Sequence, residues 1–330
     1  MRIAVIGAGS WGTTVAALAA RTNPVVLWSR RAELAEAINT SGENPDYLPG
    51  HRLPYGLRAT AVGADAIEGA EAVVMAVPSH GFRRVLESLA GGIADDTPVL
   101  SLTKGIEQDT SMRMTEIIAS VMPSHDPGRS GVLTGPNLAK EVMSGAPAAA
   151  VIGMEDLAAA SRLQSAFMDP TFRVYTNQDV TGCELAGALK NVMAIAAGMA
   201  RGLGFGQNTL AALITRALAE ITRLGMAMGG RHETFAGLAG IGDLIATCES
   251  DDSRNNRVGM ALAAGRKLDE VVSEMQMVAE GVKTARPVLQ LAARHSIDMP
   301  IASQVARVLH DGAHPREAVL ALMTREARPE

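Results

Sequence analysis

The chain opens "MRIAVIGAGSWGTTVAALAARTNPVVLWSRR", residues 1–31, and the reading of this stretch decides the fold. Ile3–Ile6 is a short apolar run closed by glycine, the length of a buried strand rather than a helix. Gly7, Gly9 and Gly12 then space a turn, an alanine-rich helical run follows, and a second apolar run occupies 24–28. Glycines in this pattern have three physical uses. The first permits a tight turn, the second lets backbone approach a pyrophosphate, and the third lets the helix pack on the strand. Amides at the helix start then face the negative charge. Glycine is common in this chain, 33 of 330 residues, so the flanking strands and helix, not the spacing alone, point to a dinucleotide.

Outward from this unit, apolar runs at 57–60, 72–77, 98–102, 130–134 and 147–152 read as further strands, joining 2–6 and 24–28. Helical patterns at 11–20, 31–39, 81–90, 110–121 and 137–144 alternate with them. That alternation predicts a parallel, doubly wound α/β sheet. The Pro- and Gly-rich segment 40–56 reads as a loop. After about residue 180 the strand signals stop, and long Ala/Leu/Met/Gly stretches with helical spacing continue to the end. The expected organisation is therefore an α/β domain over 1–178 and an all-α domain over 179–330. Asp179 or Thr181 is placed to cap the first long helix, and the tail "REARPE" is expected to fray.

Bulk properties narrow the function. Three hundred and thirty residues suffice for two domains. A net charge of −5 supplies no basic field for nucleic acid. Cys183 and Cys248 are read as two reduced thiols of a cytoplasmic protein. The seven histidines show no metal-ligand spacing, so no metal is expected. The start lacks the charged n-region and cleavage site of a signal peptide, and no uninterrupted apolar stretch is long enough for a membrane span. Large apolar helical surface suits a homodimer.

The second strand chooses the dinucleotide. A site for NADH usually ends this strand with an acid on the ribose 2′-hydroxyl. Here Trp28 is followed by Ser29, Arg30 and Arg31, and the first acid is Glu33 in the next helix. Two arginines suit a 2′-phosphate, so the reading leans to NADPH, with NADH possible. The plain alternative is a pair of solvated surface charges.

Lone charges in apolar company mark the chemistry. Between Leu185 and Ala200 the only charge is Lys190, sharing a helix face with Gly187, Asn191 and Ala194. A desolvated lysine has a lowered pKa and can pass a proton to or from an alcohol oxygen. Its alternative is to snorkel to water. Asp243 is the only charge in "AGLAGIGDLIATC", 236–248, and needs a partner; it could pair with Lys190 or open a helix as its cap. Ser253 is expected to cap a helix where Arg254, Asn255 and free amides make a phosphate site, or merely a capped surface helix. Lys104, Pro78-Ser79-His80 and the loop 134–142 follow strands, on the edge where ligands bind in an open α/β sheet.

In this order, "GAGSWGT", "WSRR", "YLPG", "VPSH", "KGIE", "GPNLAKEV", "ELAGALKNVMAIAAGMARGLGFGQN", "GLAGIGDLIATC", "SRNNRVG" and "AEGVKTA" resemble the bacterial NAD(P)-dependent glycerol-3-phosphate dehydrogenase family. The resemblance runs from residue 3 to about 300. It implies a Rossmann-type domain followed by a helical substrate domain. It also implies hydride transfer between NAD(P)H and dihydroxyacetone phosphate, giving sn-glycerol 3-phosphate for phospholipid synthesis. By similarity Lys190 is the proton donor and acceptor, and Lys104, Gly135, Asn137, Asp243, Ser253, Arg254 and Asn255 line the substrate site. The cofactor set is Gly7, Gly9, Ser10, Trp11, Gly12, Arg30, Arg31, Lys104, Ala139, Arg254, Val278 and Glu280. Asn137 stands where many members carry Ser, and "MVAEGV" departs from a more usual Val-Val-Glu-Gly-Val. Two rival readings are a 3-hydroxyacid or 6-phosphogluconate-type dehydrogenase of like architecture, and a non-catalytic dinucleotide sensor.

Overall fold

A computed structural model describes residues 1–275 and 277–324. The expected fraying of "REARPE", 325–330, lies outside the described residues. By internal contacts the chain forms two compact units, Met1–Thr103 with Arg113–Glu184, and Lys104–Met112 with Leu185 onward. Against the boundary expected at 178/179, the division lies within the helix Val180–Gly202, whose hydrogen bonding continues through it. The short piece Lys104–Met112 goes with the helical unit.

The first unit is built on ten strands: β1 (Ile3–Ile6), β2 (Val25–Trp28), β3 (Glu43–Asn44), β4 (Leu48–Arg52), β5 (Leu57–Thr60), β6 (Ala72–Met75), β7 (Val99–Ser101), β8 (Ser130–Thr134), β9 (Ala148–Gly153) and β10 (Phe172–Asn177). Eight form one sheet in the order β10-β9-β8-β7-β6-β1-β2-β5. The order reverses at β1, which pairs in parallel with β2 on one side and β6 on the other. A ligand crevice is expected beyond the carboxyl ends of such a switch point, where the glycine turn lies. β1 and β6 are buried along their whole length, as parallel strands covered on both faces must be.

Four expectations need correction. The sheet is not wholly parallel, because β9 runs antiparallel to β8. The helix between them, Ala139–Met143, has five residues and rises about 7.5 Å, too little to return the chain along a strand of about 20 Å. β10 was not anticipated, although Phe172 and Val174 point inward while Arg173 and Tyr175 point out, the alternation of a half-exposed strand. Segment 40–56 is not all loop, since β3 and β4 form an antiparallel hairpin within it. Helices Gly63–Ile67 and Leu157–Phe167 are further additions, and that expected over 110–121 begins only at Met114, where the Glu116 carboxylate reaches back to accept the Arg113 amide at 2.8 Å.

Among the described residues no strand follows Asn177. The long helix Val180–Gly202 is capped by Asp179, whose carboxylate accepts the Gly182 amide at 2.8 Å. By length and composition this helix could cross a membrane, but its apolar window is buried within the fold. Leu189, Val192 and Ile195 join Val258, Ile301 and Val305 in the core of the helical unit. A Cβ at Gly198 would lie 2.0 Å from the Asn256 carbonyl oxygen, so the backbones of Val180–Gly202 and Arg254–Ala263 touch directly.

One buried carboxylate braces this unit. Glu220, only 1% exposed on helix Gln207–Ala227, accepts the amides of Ile301 at 2.8 Å and Ala302 at 3.3 Å. It thereby caps helix Pro300–His310, whose own Met299 offers no side-chain cap. Burial raises its pKa to about 7, against the two amides and Arg223, which lower it; Asp298 adds to the rise. The folded protein therefore holds this proton up to a higher pH than the unfolded chain does, and the group's contribution to stability is lost as pH rises from about 4.5 to about 7. Glu220→Gln keeps a carbonyl acceptor and removes the ionisation. In denaturant titrations its stability relative to wild type is expected to improve between pH 5 and 7.5, and a constant difference would refute this.

Candidate active site

The helical unit gathers the titratable candidates. Asp243 opens helix Asp243–Glu249 directly after a π-turn, Leu238–Gly242, which carries the cap position on Gly242. The carboxylate is thus not a helix cap. Its Oδ2 accepts from Lys104 Nζ at 2.7 Å and its Oδ1 from Lys190 Nζ. Lys190 also donates to Thr247 Oγ1 at 2.6 Å, and that hydroxyl donates to the Asp243 carbonyl oxygen at 2.7 Å. Lys190 is 5% exposed and Asp243 1%, which rules out snorkelling. Thr247 escaped the sequence reading, although it lies one helical turn beyond Asp243, on the same face.

Burial pulls the Lys190 pKa down to about 7, helped by the nearby charge of Lys104 and opposed by Asp243. Burial alone would raise Asp243, but Lys104 and Lys190 outweigh it and hold the carboxyl below its ordinary range. The result is a fixed anion between two cations, one poised to exchange a proton near neutrality. A lysine held in this way has the chemistry a general acid/base needs, with an orienting partner already in place.

Hydrogen bonds fix this cluster. Asn191 Nδ2 donates to the Lys104 carbonyl at 2.8 Å, Asn255 Nδ2 donates to Asn191 Oδ1 at 3.0 Å, and the Gly281 amide donates to Asn255 Oδ1 at 2.9 Å. Ser253 caps helix Arg254–Ala263 through the Asn256 amide. Arg254 donates to the Val278 carbonyl at 2.7 Å, and burial lowers its pKa against the pull of Glu280. The helix start expected to hold phosphate has its cap and its arginine, while the Asn255 side chain is engaged within the protein. Among the sequence candidates, this unit thus carries Lys104, Lys190, Asp243, Ser253, Arg254, Asn255, Val278 and Glu280.

The first unit carries the others. Gly7 has φ +124°, and a Cβ there would meet the Ala76 carbonyl oxygen at 2.5 Å; one at Gly12 would meet the Gly7 oxygen at 2.0 Å. At Gly9 a Cβ would meet no protein atom within 4 Å, the open side a pyrophosphate needs. Ser10 begins helix Ser10–Ala19 and donates from Oγ to the Tyr47 carbonyl at 3.1 Å. Trp11 packs edge-on against Phe172, 6.2 Å between centroids. Its Nε1 is buried without a hydrogen-bond partner among the described residues, and so are both polar atoms of the Asn137 side chain. Buried polar groups normally have partners. The orphaned Trp11 Nε1, with the open Gly9, fits a dinucleotide, and the two Asn137 atoms suit a polar ligand group. Gly135 precedes Asn137 and Ala139 opens the short helix after it. Ser79 begins helix Ser79–Leu89, with Pro78 at its cap and His80 in its first turn.

Arg30 and Arg31 follow β2 and both are exposed. Arg31 pairs with Asp46 and lies 6.0 Å from the Tyr47 ring centroid. Asp46 lay in the segment read as loop, and nothing in the sequence linked it to Arg31.

Comparisons with known proteins bear on this geometry. Residues 2–160 and 179–320 match the family described as NAD-dependent glycerol-3-phosphate dehydrogenase, N-terminus and C-terminus respectively. The chain is 56% identical over 305 residues to glycerol-3-phosphate dehydrogenase [NAD(P)+] 2 of Sphingopyxis alaskensis, covering 92% of this chain and 91% of that one. It is 50% identical to glycerol-3-phosphate dehydrogenase [NAD(P)+] of Streptomyces griseus, over 100% and 98% of the two chains. The crystal structure of glycerol-3-phosphate dehydrogenase from Coxiella burnetii superposes with a TM-score of 0.94 at 37% identity, over 98% and 99% of the two chains.

The charge arrangement makes a prediction independent of turnover. In protein with isotope-labelled lysine, the Lys190 side chain is expected to titrate by NMR near pH 7. Lys104→Met removes a neighbouring positive charge and should move that midpoint upward. A midpoint near the ordinary lysine value in wild type, or a downward shift in the variant, would contradict the electrostatic account.

Proposed function

The chain belongs to the NAD-dependent glycerol-3-phosphate dehydrogenase family, and on that premise we propose that it moves hydride reversibly between NAD(P)H and dihydroxyacetone phosphate, giving sn-glycerol 3-phosphate. The observation that carries the reading is the buried Lys190, held by Asp243 and Thr247, with its pKa near neutrality. The family match and the relatives favour this activity over a 3-hydroxyacid or 6-phosphogluconate dehydrogenase. A dinucleotide sensor without chemistry would have no use for the lysine.

The bound nicotinamide supplies or takes the hydride at the substrate C2. In reduction the Lys190 ammonium gives its proton to the C2 oxygen as the carbonyl becomes an alcohol, and the lysine is left neutral. In oxidation the neutral amine takes the hydroxyl proton while C2 loses hydride. Lys104 adds positive charge to stabilise the developing alkoxide, and Asp243 balances the two lysines. Arg254 and the amides at its helix start suit the substrate phosphate. Gly135 and Asn137 complete the proposed substrate set. Gly7, Gly9, Ser10, Trp11, Gly12 and Ala139 serve the dinucleotide, with Arg254, Val278 and Glu280. Arg30 and Arg31 favour NADPH over NADH through the 2′-phosphate. A cytoplasmic homodimer supplying glycerol 3-phosphate to phospholipid synthesis completes the reading.

Purified protein should oxidise NADPH in the presence of dihydroxyacetone phosphate, followed by loss of nicotinamide absorbance. Turnover with a 3-oxoacid but not with this ketone would overturn the assignment. Reduction needs protonated Lys190, so its rate should fall as pH rises through about 7, while the rate of oxidation should rise over the same range. Lys190→Ala should lower kcat about 10²- to 10⁴-fold in both directions. Replacing Arg30 and Arg31 by Ala should raise KM for NADPH more than for NADH, and equal effects would exclude their role in reading the phosphate.

A further inference from the structure

Asn44 is wholly buried at the end of β3 and has no part in the assignments above. Its Nδ2 donates to the Ala8 carbonyl oxygen at 2.9 Å and to Thr13 Oγ1 at 2.8 Å. Its Oδ1 accepts the Tyr47 amide at 3.2 Å. Ala8 is the middle of the Gly7–Gly9 turn, and Thr13 lies in the first turn of the helix that the glycines open. Tyr47 in turn receives the Ser10 hydroxyl on its carbonyl oxygen. One side chain therefore ties both ends of the turn to the hairpin segment.

The consequence is directional. The peptide joining Ala8 to Gly9 is planar and trans, so its C=O and N–H point in opposite directions. Fixing the Ala8 oxygen on Asn44 aims the Gly9 N–H away from the hairpin. Gly9 is also the residue whose Cβ position is open space. A glycine there allows close approach but leaves the peptide plane free to rotate, so something else must set its orientation.

We propose that Asn44 is a positioning residue for dinucleotide binding, which orients the Gly9 peptide so that its amide is preset for the pyrophosphate. This rests on the reading that the glycine turn binds the cofactor's pyrophosphate. Preset amides lose less ordering freedom on binding, so the effect appears as affinity. It is shared by every ligand that contains the pyrophosphate and is blind to the 2′-phosphate.

The test is calorimetric titration of the cofactor-free protein with NADPH, NADH and ADP-ribose. Asn44→Ala and the apolar, similarly shaped Asn44→Leu are compared with wild type, at a temperature where circular dichroism shows all three fully folded. All three dissociation constants are expected to rise together by about tenfold, with the NADPH-to-NADH ratio unchanged. A purely structural role would lower the unfolding temperature and leave these constants alone, and constants within twofold of wild type would overturn the proposal. If wild type binds none of the three ligands, the cofactor reading itself fails instead. Labelled wild-type protein gives a readout that needs no variant. ADP-ribose should shift the Gly9 amide and the Asn44 side-chain amide resonances together, and a Gly9 resonance that moves while Asn44 stays fixed would overturn the coupling.

Discussion

A buried charge must be partnered or neutralised, and Asp243 meets that requirement with two lysines. Much of the helical unit follows from this. The π-turn before Asp243 takes over the capping position, leaving the carboxylate free to point at the lysines rather than at its own helix. Lys190 reaches Asp243 from the middle of the longest helix, where a cation could not stay buried without it. Lys104 comes from far earlier in the chain, which gives a physical reason for the stretch Lys104–Met112 to belong with the helices. Asn191 then holds the Lys104 backbone, and Asn255 holds Asn191. Removing the anion would leave two cations facing each other in a buried site, which is why the cluster has to be understood as one unit.

The same arrangement sets the proton chemistry. A lysine in water is a poor base near neutrality because it is almost always charged. Burial removes the hydration that favours the charged form, and Lys104 adds repulsion. Asp243 stops the shift from going so far that Lys190 could no longer hold a proton. The balance leaves a group that can give and take a proton in the same range of pH, as a reversible reaction demands.

The sequence made the charges visible but not their geometry. Lys190 and Asp243 stood out because each was the only charge in a long apolar stretch, and the structure pairs them. Lys104 is visible in the sequence as a strand-end residue, and by resemblance as a substrate and cofactor contact, but its pairing with Asp243 is not, because nothing in spacing links positions 104 and 243. Thr247 and Asn44 were missed for a related reason. A threonine inside a helix and an asparagine in a polar loop are ordinary locally, and their importance lies in partners distant along the chain. The sheet was legible where strands are buried on both faces, as in β1 and β6, whose apolar runs are unbroken. It was not legible at the edge, where β10 alternates with Arg173 and Tyr175, nor in the short β3–β4 hairpin with its Pro and Gly.

The surroundings of Lys190 and of the glycine turn differ in what they leave unsatisfied. In the helical unit the described polar groups around Lys190 find one another, so the site is set by internal electrostatics before any ligand arrives. In the sheet unit Trp11, two residues after the open Gly9, and Asn137, two after Gly135, keep buried polar atoms without partners among the described residues. Unpaired buried groups cost stability and persist where a ligand repays the cost. A turn that depends on a ligand for its hydrogen bonds must still be held in shape without it. Two bonds from Asn44, to the Ala8 carbonyl oxygen and to Thr13 Oγ1, suit that restraint, and the Tyr47 amide holds Asn44 itself within the hairpin segment.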